Sequence, residues 1–271
     1  MSGFSRGLID RSGYELEGFA DTYDGFRPAP PSALLEILTL VARVERPALV
    51  VDLGCGTGLS TRAWAPRADE VVGVEANPRM LARAQAATRA GNVRYVEAFA
   101  DATGLADGSA DLVTCAQAFH WMEPAPVLAE AARILRPGGV FAAYDYDVPP
   151  VVHPELDAAF ARHAVARGEA RGRLGLEAGA LTWPKEQHLE QIRASGRFRF
   201  SRDVLCHGFG ETDAERVRGL AESLGGPRAI FDGRAPEVDE TFEQLVETAR
   251  RVLGGGTCRM VVCYRVRLGV R

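Results

Sequence analysis

Three glycines at alternate positions form the first stretch of this sequence whose residue types and spacing suit ligand binding. Gly54, Gly56 and Gly58 follow directly on a short apolar run, 48–53, and a helical pattern begins after them. Because glycine lacks a Cβ, such a turn lets the backbone approach a ligand closely. The free N–H groups at the start of the following helix favour an anionic group such as a carboxylate or a phosphate. The stretch therefore predicts a ligand-binding turn between a strand and a helix.

An acidic residue, Glu75, closes the next apolar run, 70–75, about twenty residues after the glycines. In nucleotide-binding α/β folds an acidic side chain at this point accepts hydrogen bonds from ribose hydroxyls. The dinucleotide fingerprint is G-x-G-x-x-G, but here the third glycine falls one place early and Leu59 takes its position. This spacing disfavours an NAD-type enzyme, and the position of Glu75 disfavours a turn without a ligand. We expect a ligand that carries a ribose and an anionic group.

The glycine turn also resembles a known motif. The string at 52–58, D-L-G-C-G-T-G, is similar to the first motif of class I S-adenosylmethionine-dependent methyltransferases. The segment 75–80, E-A-N-P-R-M, resembles the ribose-binding segment of that family. The resemblance implies S-adenosylmethionine as cofactor and S-adenosylhomocysteine as product. It also implies cofactor contacts from Gly54, Cys55, Gly56, Glu75, Ala76 and Met80.

A short segment ahead of the glycines resembles a second element of many small-molecule methyltransferases, Y-x-x-x-R-P. Here it reads Tyr23-Asp24-Gly25-Phe26-Arg27-Pro28. The resemblance implies that Tyr23 and Arg27 close over the methionine end of the cofactor. An arginine suits that task because its fork can bind a carboxylate through two parallel hydrogen bonds. The alternative is a surface arginine flanked by a turn.

The loop after the third predicted strand, 98–105, resembles the adenine-binding segment of the same family. The resemblance implies that Asp101 accepts a hydrogen bond from the exocyclic amine of the adenine. It also implies that the next backbone N–H, that of Ala102, faces a ring nitrogen. The alternative is an aspartate that caps a short helical turn.

The stretch 111–122 ends a predicted apolar strand at Ala116 and continues as Q-A-F-H-W. This ending resembles a signature of the type 11 methyltransferase branch that includes trans-aconitate methyltransferase-like proteins, and it implies that Ala116 and Gln117 contact the cofactor. His120 is a candidate catalytic residue that could accept a proton or bind a substrate carboxylate or hydroxyl. Trp121 could wall the substrate pocket and face the sulfonium cation. The alternatives are that His120 fixes the loop and that Trp121 only packs.

The fifth predicted strand ends in Tyr144-Asp145-Tyr146-Asp147. Because side chains alternate along a strand, the two tyrosines point one way and the two carboxylates the other. Tyr144 and Tyr146 are therefore candidates for the substrate pocket, and ordinary packing at the strand end is the alternative.

Strand and helix patterns alternate along most of the chain, which predicts parallel strands with crossover helices on both faces. Ligands in such sheets bind at the carboxyl ends of the strands. We expect an α/β, Rossmann-like, doubly wound sheet of seven strands, mostly parallel with an antiparallel last strand, in a single methyltransferase domain over 1–271. Its parts are an N-terminal cap segment (1–31), a cofactor-binding core (32–148), a helical cap insertion (149–197) and a C-terminal part of the sheet (198–271).

Composition and charge limit the classes of partner that we expect this chain to bind. The 271 residues carry a formal net charge of −4 with no dense basic run, which disfavours nucleic acid. No apolar run approaches the roughly 20 residues that span a bilayer, and the start has no apolar signal region, so we expect no membrane partner and a cytoplasmic location. The five cysteines form no C-x-x-C pair and no zinc-like grouping with histidines, so no metal is implied.

Together these features predict O- or C-methylation of a small-molecule metabolite or natural-product intermediate by a monomer or a homodimer. Two alternatives stay open. One is methylation of RNA or protein, and the other is a protein that binds S-adenosylmethionine without transferring its methyl group.

Overall fold

The computed structural model describes residues 24–175, 182–223, 231 and 233–271. Tyr23 lies outside the described residues. The strands are β1 (Leu49–Leu53), β2 (Glu70–Glu75), β3 (Val93–Glu97), β4 (Ala110–Ala116), β5 (Leu135–Tyr146), β6 (Phe200–Thr212) and β7 (Cys258–Val270). The helices are α1 (Ser32–Val41), α2 (Leu59–Trp64), α3 (Pro78–Ala87), α4 (Pro124–Ile134), α5 (Pro154–Arg173), α6 (His188–Ala194), α7 (Ala214–Ser223) and α8 (Pro236–Leu253). Short 3₁₀ turns cover Ala65–Arg67, Phe119–Trp121 and Lys185–Gln187.

The strands form one seven-stranded sheet in the order β3-β2-β1-β4-β5-β7-β6. Strands β1 to β5 pair in parallel, whereas β7 lies antiparallel between β5 and β6. The predicted sheet, including its antiparallel last strand, is confirmed. The strand order reverses between β1 and β4, where ligands of open α/β sheets bind at the carboxyl ends.

Helices cover both faces of the sheet. On one face, Leu34 and Leu38 of α1 and Trp64 of α2 pack against the strands. On the other, Leu128 of α4 and Ile192 of α6 do the same. The central strands are therefore buried on both sides, which explains why they appear in the sequence as continuous apolar runs instead of alternating ones.

A second core lies among helices α5, α7 and α8, which we call the helical layer. Buried side chains from all three helices meet there, among them Leu156, Phe160, Leu220, Phe242 and Leu245. Helix α5 comes from the predicted insertion (149–197), whereas α7 and α8 come from the part predicted as 198–271. A helical period identifies the apolar face of each helix but not its partner, so the sequence could not assign these helices to one layer.

Strand β5 contains a turn signal near its start. Pro137, Gly138 and Gly139 are typical of a turn, but β5 already begins at Leu135, opposite Ala110. The register shifts between this pair and the pair Leu112–Val140. Bulged strands absorb such residues without leaving the sheet.

Within the described ranges, the structure contains no helix of the length and hydropathy that crossing a bilayer requires.

Candidate functional site

A cavity opens at the carboxyl ends of β1, β2, β4 and β5. It brings together most of the residues that the sequence nominated from separate segments. These are Arg27, Gly54, Cys55, Gly56, Glu75, Ala76, Met80, Asp101, Ala116, Gln117, Trp121, Tyr144 and Tyr146. The segments meet because parallel strands end at the same edge of the sheet.

The glycine turn has a backbone shape that other residues would strain. Gly54 and Gly58 have φ values of +64° and +84°, in the left-handed region. A Cβ on Gly54 would lie 2.5 Å from Cε of Met122 and 2.9 Å from Cβ of Ala118. The turn therefore keeps its main chain open to the cavity only while position 54 lacks a side chain.

Glu75 supports this turn from the end of β2. Its carboxylate accepts the N–H of Gly56 at 2.8 Å and the N–H of Asn77 at 2.8 Å. Burial raises its pKa, although these donors oppose that shift. Glu75 thus fixes the glycine turn while lining the cavity, so one carboxylate serves both the loop and the ligand site.

Asn77 is a cavity residue that was not among the site residues predicted from the sequence. Its side chain caps helix α3 by accepting the N–H groups of Arg79 at 2.9 Å and Met80 at 3.2 Å, and it lines the cavity. The signal was available, because asparagine directly before Pro78 is a typical helix start.

A buried carboxylate, Asp52, lies in β1 beneath the turn. It accepts hydrogen bonds from the hydroxyls of Thr61 at 2.7 Å and Thr114 at 2.8 Å. Burial raises the pKa of Asp52 to about 6. Asp52 is not among the cavity residues, and it ties α2 and β4 to β1 beside the site.

The two residues of the predicted adenine-binding segment differ in their position relative to the cavity. Asp101 lines the cavity, as expected. Ala102 does not, and its N–H donates to the carbonyl of Phe99 at 3.1 Å. A local turn thus uses that donor, and the contact between Ala102 and an adenine ring nitrogen stays a prediction.

Arg27 lies between the strand edge and the helical layer. Its Nε donates to Oγ of Ser223 at 2.9 Å, and its other nitrogens donate to the carbonyl of Ser223 and the hydroxyl of Tyr146. The guanidinium of Arg27, which was expected to bind a cofactor carboxylate, therefore already donates hydrogen bonds to groups of the protein itself. Nearby, Asp24 pairs with Arg62 at 2.6 Å, so the segment 24–31 is held at the glycine-turn helix as well as at α7.

The two tyrosines of β5 face the cavity, and Asp145 points to the other face, as strand alternation requires. The hydroxyl of Tyr144 lies 2.6 Å from that of Ser60, and burial raises the pKa of Tyr144. Tyr146 packs edge-on against Tyr264 of β7. Tyr264 also lines the cavity, and no local sequence signal predicts this, because only the strand order places β7 beside β5.

His120 does not line the cavity, unlike its neighbour Trp121. Its Nδ1 lies 3.8 Å from Oδ1 of Asp145, behind the cavity wall. Burial lowers the pKa of His120 to about 3, and the nearby charge of Lys185 acts in the same direction. The 3₁₀ turn presents Trp121 to the cavity and keeps His120 behind it, and the role of His120 as a base stays a prediction.

Further lining residues were not predicted. They come from the turns that follow the motifs, where the sequence has no regular period. They include Thr57, Ser60, Phe99, Met122, Glu123, Pro126 and Val127.

Comparison with known proteins places this geometry in a family. Residues 51–143 match the family model described as a methyltransferase domain. This segment of the chain is therefore a methyltransferase domain, similar to those of the class I S-adenosylmethionine-dependent methyltransferases. An uncharacterized methyltransferase of Mycobacterium tuberculosis is 40% identical over 118 residues, which cover 43% of this chain and 46% of that protein. A Saccharomyces cerevisiae protein assigned as an S-adenosylmethionine-dependent methyltransferase is 31% identical over 135 residues, covering 48% of this chain and 46% of that one.

A solved structure extends the likeness beyond the motif region. The structure, assigned as a type II methyltransferase of Anaeromyxobacter dehalogenans, has a TM-score of 0.66 and 25% identity. The match covers 91% of this chain and 98% of that chain. By contrast, the chain spans about half the length of the curated relatives that it matches. S-adenosylmethionine is the cofactor of this family.

Proposed function

We propose that this methyltransferase transfers the methyl group of S-adenosylmethionine to an oxygen or carbon of a small-molecule metabolite or natural-product intermediate. The observation that carries the proposal is the single cavity edge shared by the glycine turn, Glu75 and Asp101. An aromatic wall of Trp121 and Tyr146 adjoins these groups in the same cavity. The groups that we assign to the cofactor thus adjoin the groups that we assign to the substrate within one cavity.

The residues present fit the cofactor. The missing Cβ at Gly54 leaves main chain open to the ligand, and Glu75 keeps acceptor capacity beyond its two backbone donors. We assign Glu75 to the ribose hydroxyls and Asp101 to the adenine amine. Arg27 closes the methionine end by holding Tyr146 and Ser223 in place, since its nitrogens already donate to them.

The protein contributes position and exclusion of water. When bound, S-adenosylmethionine supplies an electrophilic methyl group on a sulfonium. Such a transfer needs the acceptor atom held in line at near-contact distance in a dry pocket. Trp121, Tyr144, Tyr146 and Tyr264 provide a wall of aromatic surface for that purpose. Among the described residues that line the cavity, none is a histidine, which favours an acceptor that is already anionic, such as a carboxylate or an enolate.

Calorimetric titration tests the cofactor first. We expect S-adenosylhomocysteine to bind with a dissociation constant in the micromolar range or below, and NAD not to bind. A turnover assay with a panel of small carboxylates and enolisable ketones then tests the enzyme. Binding without turnover, on any member of a broad small-molecule panel, would point to a binding protein instead.

Removing either acidic side chain tests the assignment of the adenosine contacts. Glu75→Ala and Asp101→Ala should each weaken the affinity for S-adenosylhomocysteine by roughly 1–3 kcal/mol, the cost of leaving a buried polar group without its partner. Glu97→Ala is the matched control, since Glu97 ends β3 in register with Glu75 but does not line the cavity. Normal binding by both site variants, measured by the same titration, would show that the adenosine pocket lies elsewhere.

A further inference from the structure

A cluster of charged groups lies behind the cavity wall, on the face of β5 opposite the tyrosines. Asp145 is at its centre, and its side chain is 8% exposed. Oδ1 of Asp145 accepts Nζ of Lys185 at 2.8 Å, and Oδ2 accepts a nitrogen of Arg267 at 2.9 Å. Both carboxylate oxygens thus have a cationic partner, which offsets the free-energy cost of burying the charge.

Lys185 extends this cluster to the cavity. Its Nζ also donates to Oε1 of Gln117 at 2.8 Å, and Gln117 lines the cavity. A lysine ammonium is compact and carries several donors, so it can bridge two separate acceptors. Lys185 is the only lysine in the sequence, and it belongs to the 3₁₀ turn ahead of α6, far from Gln117 along the chain.

Gln117 has a backbone conformation that contacts from other segments must stabilise. It follows the last residue of β4 with a φ of +53°, a left-handed conformation that is unfavourable for a residue with a Cβ. Its N–H donates to the carbonyl of Tyr144 at 2.9 Å, and its side-chain amide donates to the carbonyl of Tyr146 at 3.4 Å. Strained conformations persist where several contacts determine them together. The bond from Lys185 is the shorter of the two that hold the side chain.

We infer that Lys185 is a positioning residue of the methyl-transfer site, which acts by holding Gln117 against the cofactor cavity. The inference rests on the proposed function, since it assigns Gln117 to the wall of the cofactor site. Loss of the ammonium leaves Oε1 of Gln117 without this donor and releases the side chain from one end. The wall must then be ordered when the ligand binds, and that ordering lowers affinity.

Titration of S-adenosylhomocysteine into the whole chain tests the inference. Lys185→Met should weaken binding about tenfold, the usual effect of losing a hydrogen bond to a charged group. Arg193→Met is the matched control, because Arg193 is an exposed cation of the same segment that contacts Ser201 instead of the cavity. It should bind like the wild type.

A second variant guards against a folding defect. Gln117→Met removes the acceptor but leaves the ion pair between Lys185 and Asp145 intact, and it should also weaken binding about tenfold. If Lys185 acts through Gln117, the double variant binds no more weakly than the Gln117→Met variant. Scanning calorimetry without ligand confirms that each variant unfolds cooperatively.

The outcomes separate the inference from the proposed function. Wild-type binding together with normal affinity in either single variant would overturn the inference alone, and so would additive losses in the double variant. If the wild type itself fails to bind S-adenosylhomocysteine, the proposed function falls and the positioning role falls with it.

Discussion

The glycine turn and the helical layer are built from contacts of very different range. In the turn, the bonds of Gly56 with Glu75 and of Asp52 with Thr61 join residues at most 19 apart, and one further bond, from Thr114 to Asp52, reaches β4. In the layer, α5 packs against α8, more than sixty residues further along the chain. The comparison shows that a motif can encode a site's local geometry, whereas the surroundings of that site depend on packing.

The segment 24–31 joins the two regions. Its Arg27 donates to Ser223 at the end of α7, and its Asp24 pairs with Arg62 of α2, directly after the glycine turn. If the two regions have separate roles, changes in the turn should affect ligand affinity first, and changes in the layer should affect stability first.

The largest effect is expected from a cavity in the helical layer. Leu245 on α8 is completely buried, so Leu245→Ala should lower the free energy of unfolding by about 3–4 kcal/mol. The affinity for S-adenosylhomocysteine should stay within about threefold of the wild type, because the variant remains folded at assay temperature and the cavity contacts are unchanged. Denaturant titration and calorimetric titration measure the two quantities.

Leu40→Ala is the control for this substitution, since Leu40 on α1 is 77% exposed. It should change neither quantity. A large loss of affinity in Leu245→Ala, under conditions where it is folded, would break the comparison by making the layer part of the binding site.

The next effect is expected in the turn. Gly54→Ala places a methyl group against Met122 and Ala118 in a left-handed backbone conformation. We expect an affinity loss of roughly 100-fold, or about 3 kcal/mol, because both strain and overlap oppose the binding conformation. Calorimetric titration measures it, and Gly91→Ala, at an exposed glycine with nothing within 4 Å of its added methyl, should bind normally.

A smaller effect concerns pH and the charged cluster behind the cavity wall. Burial lowers the pKa of His188 to about 4, against an ordinary value of 6.5. Between these values the unfolded chain binds a proton that the folded chain does not, so this residue lowers stability as the pH falls from 6.5 towards 4. Replacing His188 removes that contribution.

His188→Leu should therefore gain stability relative to the wild type by roughly 2 kcal/mol between pH 7 and pH 5. Denaturant titration at the two pH values measures this difference. His207→Leu, on the exposed face of β6, is the control and should show no comparable gain. If the stability difference between His188→Leu and the wild type is the same at both pH values, His188 takes up its proton while the chain is folded.

The sequence by itself determined the sheet and the ligand-facing ends of its strands. Apolar runs, the glycine turn and Glu75 are local signals, because strand burial and backbone shape are set by residues near one another along the chain. The resemblance of the loop 98–105 to an adenine-binding segment nominated Asp101, and strand alternation nominated Tyr144 and Tyr146; all three line the cavity. Local patterns also predicted Asp145 on the opposite side from the tyrosines.

Only the tertiary structure decided which way His120 faces, where Tyr264 lies and what Lys185 holds. The 3₁₀ turn over Phe119–Trp121 places His120 behind the wall, strand order brings Tyr264 to the cavity, and the 3₁₀ turn ahead of α6 brings Lys185 to Gln117. The apolar period of a helix or strand gives its buried face but not its neighbour. Contacts between distant segments form only when the whole chain packs, so no short stretch of sequence could specify them.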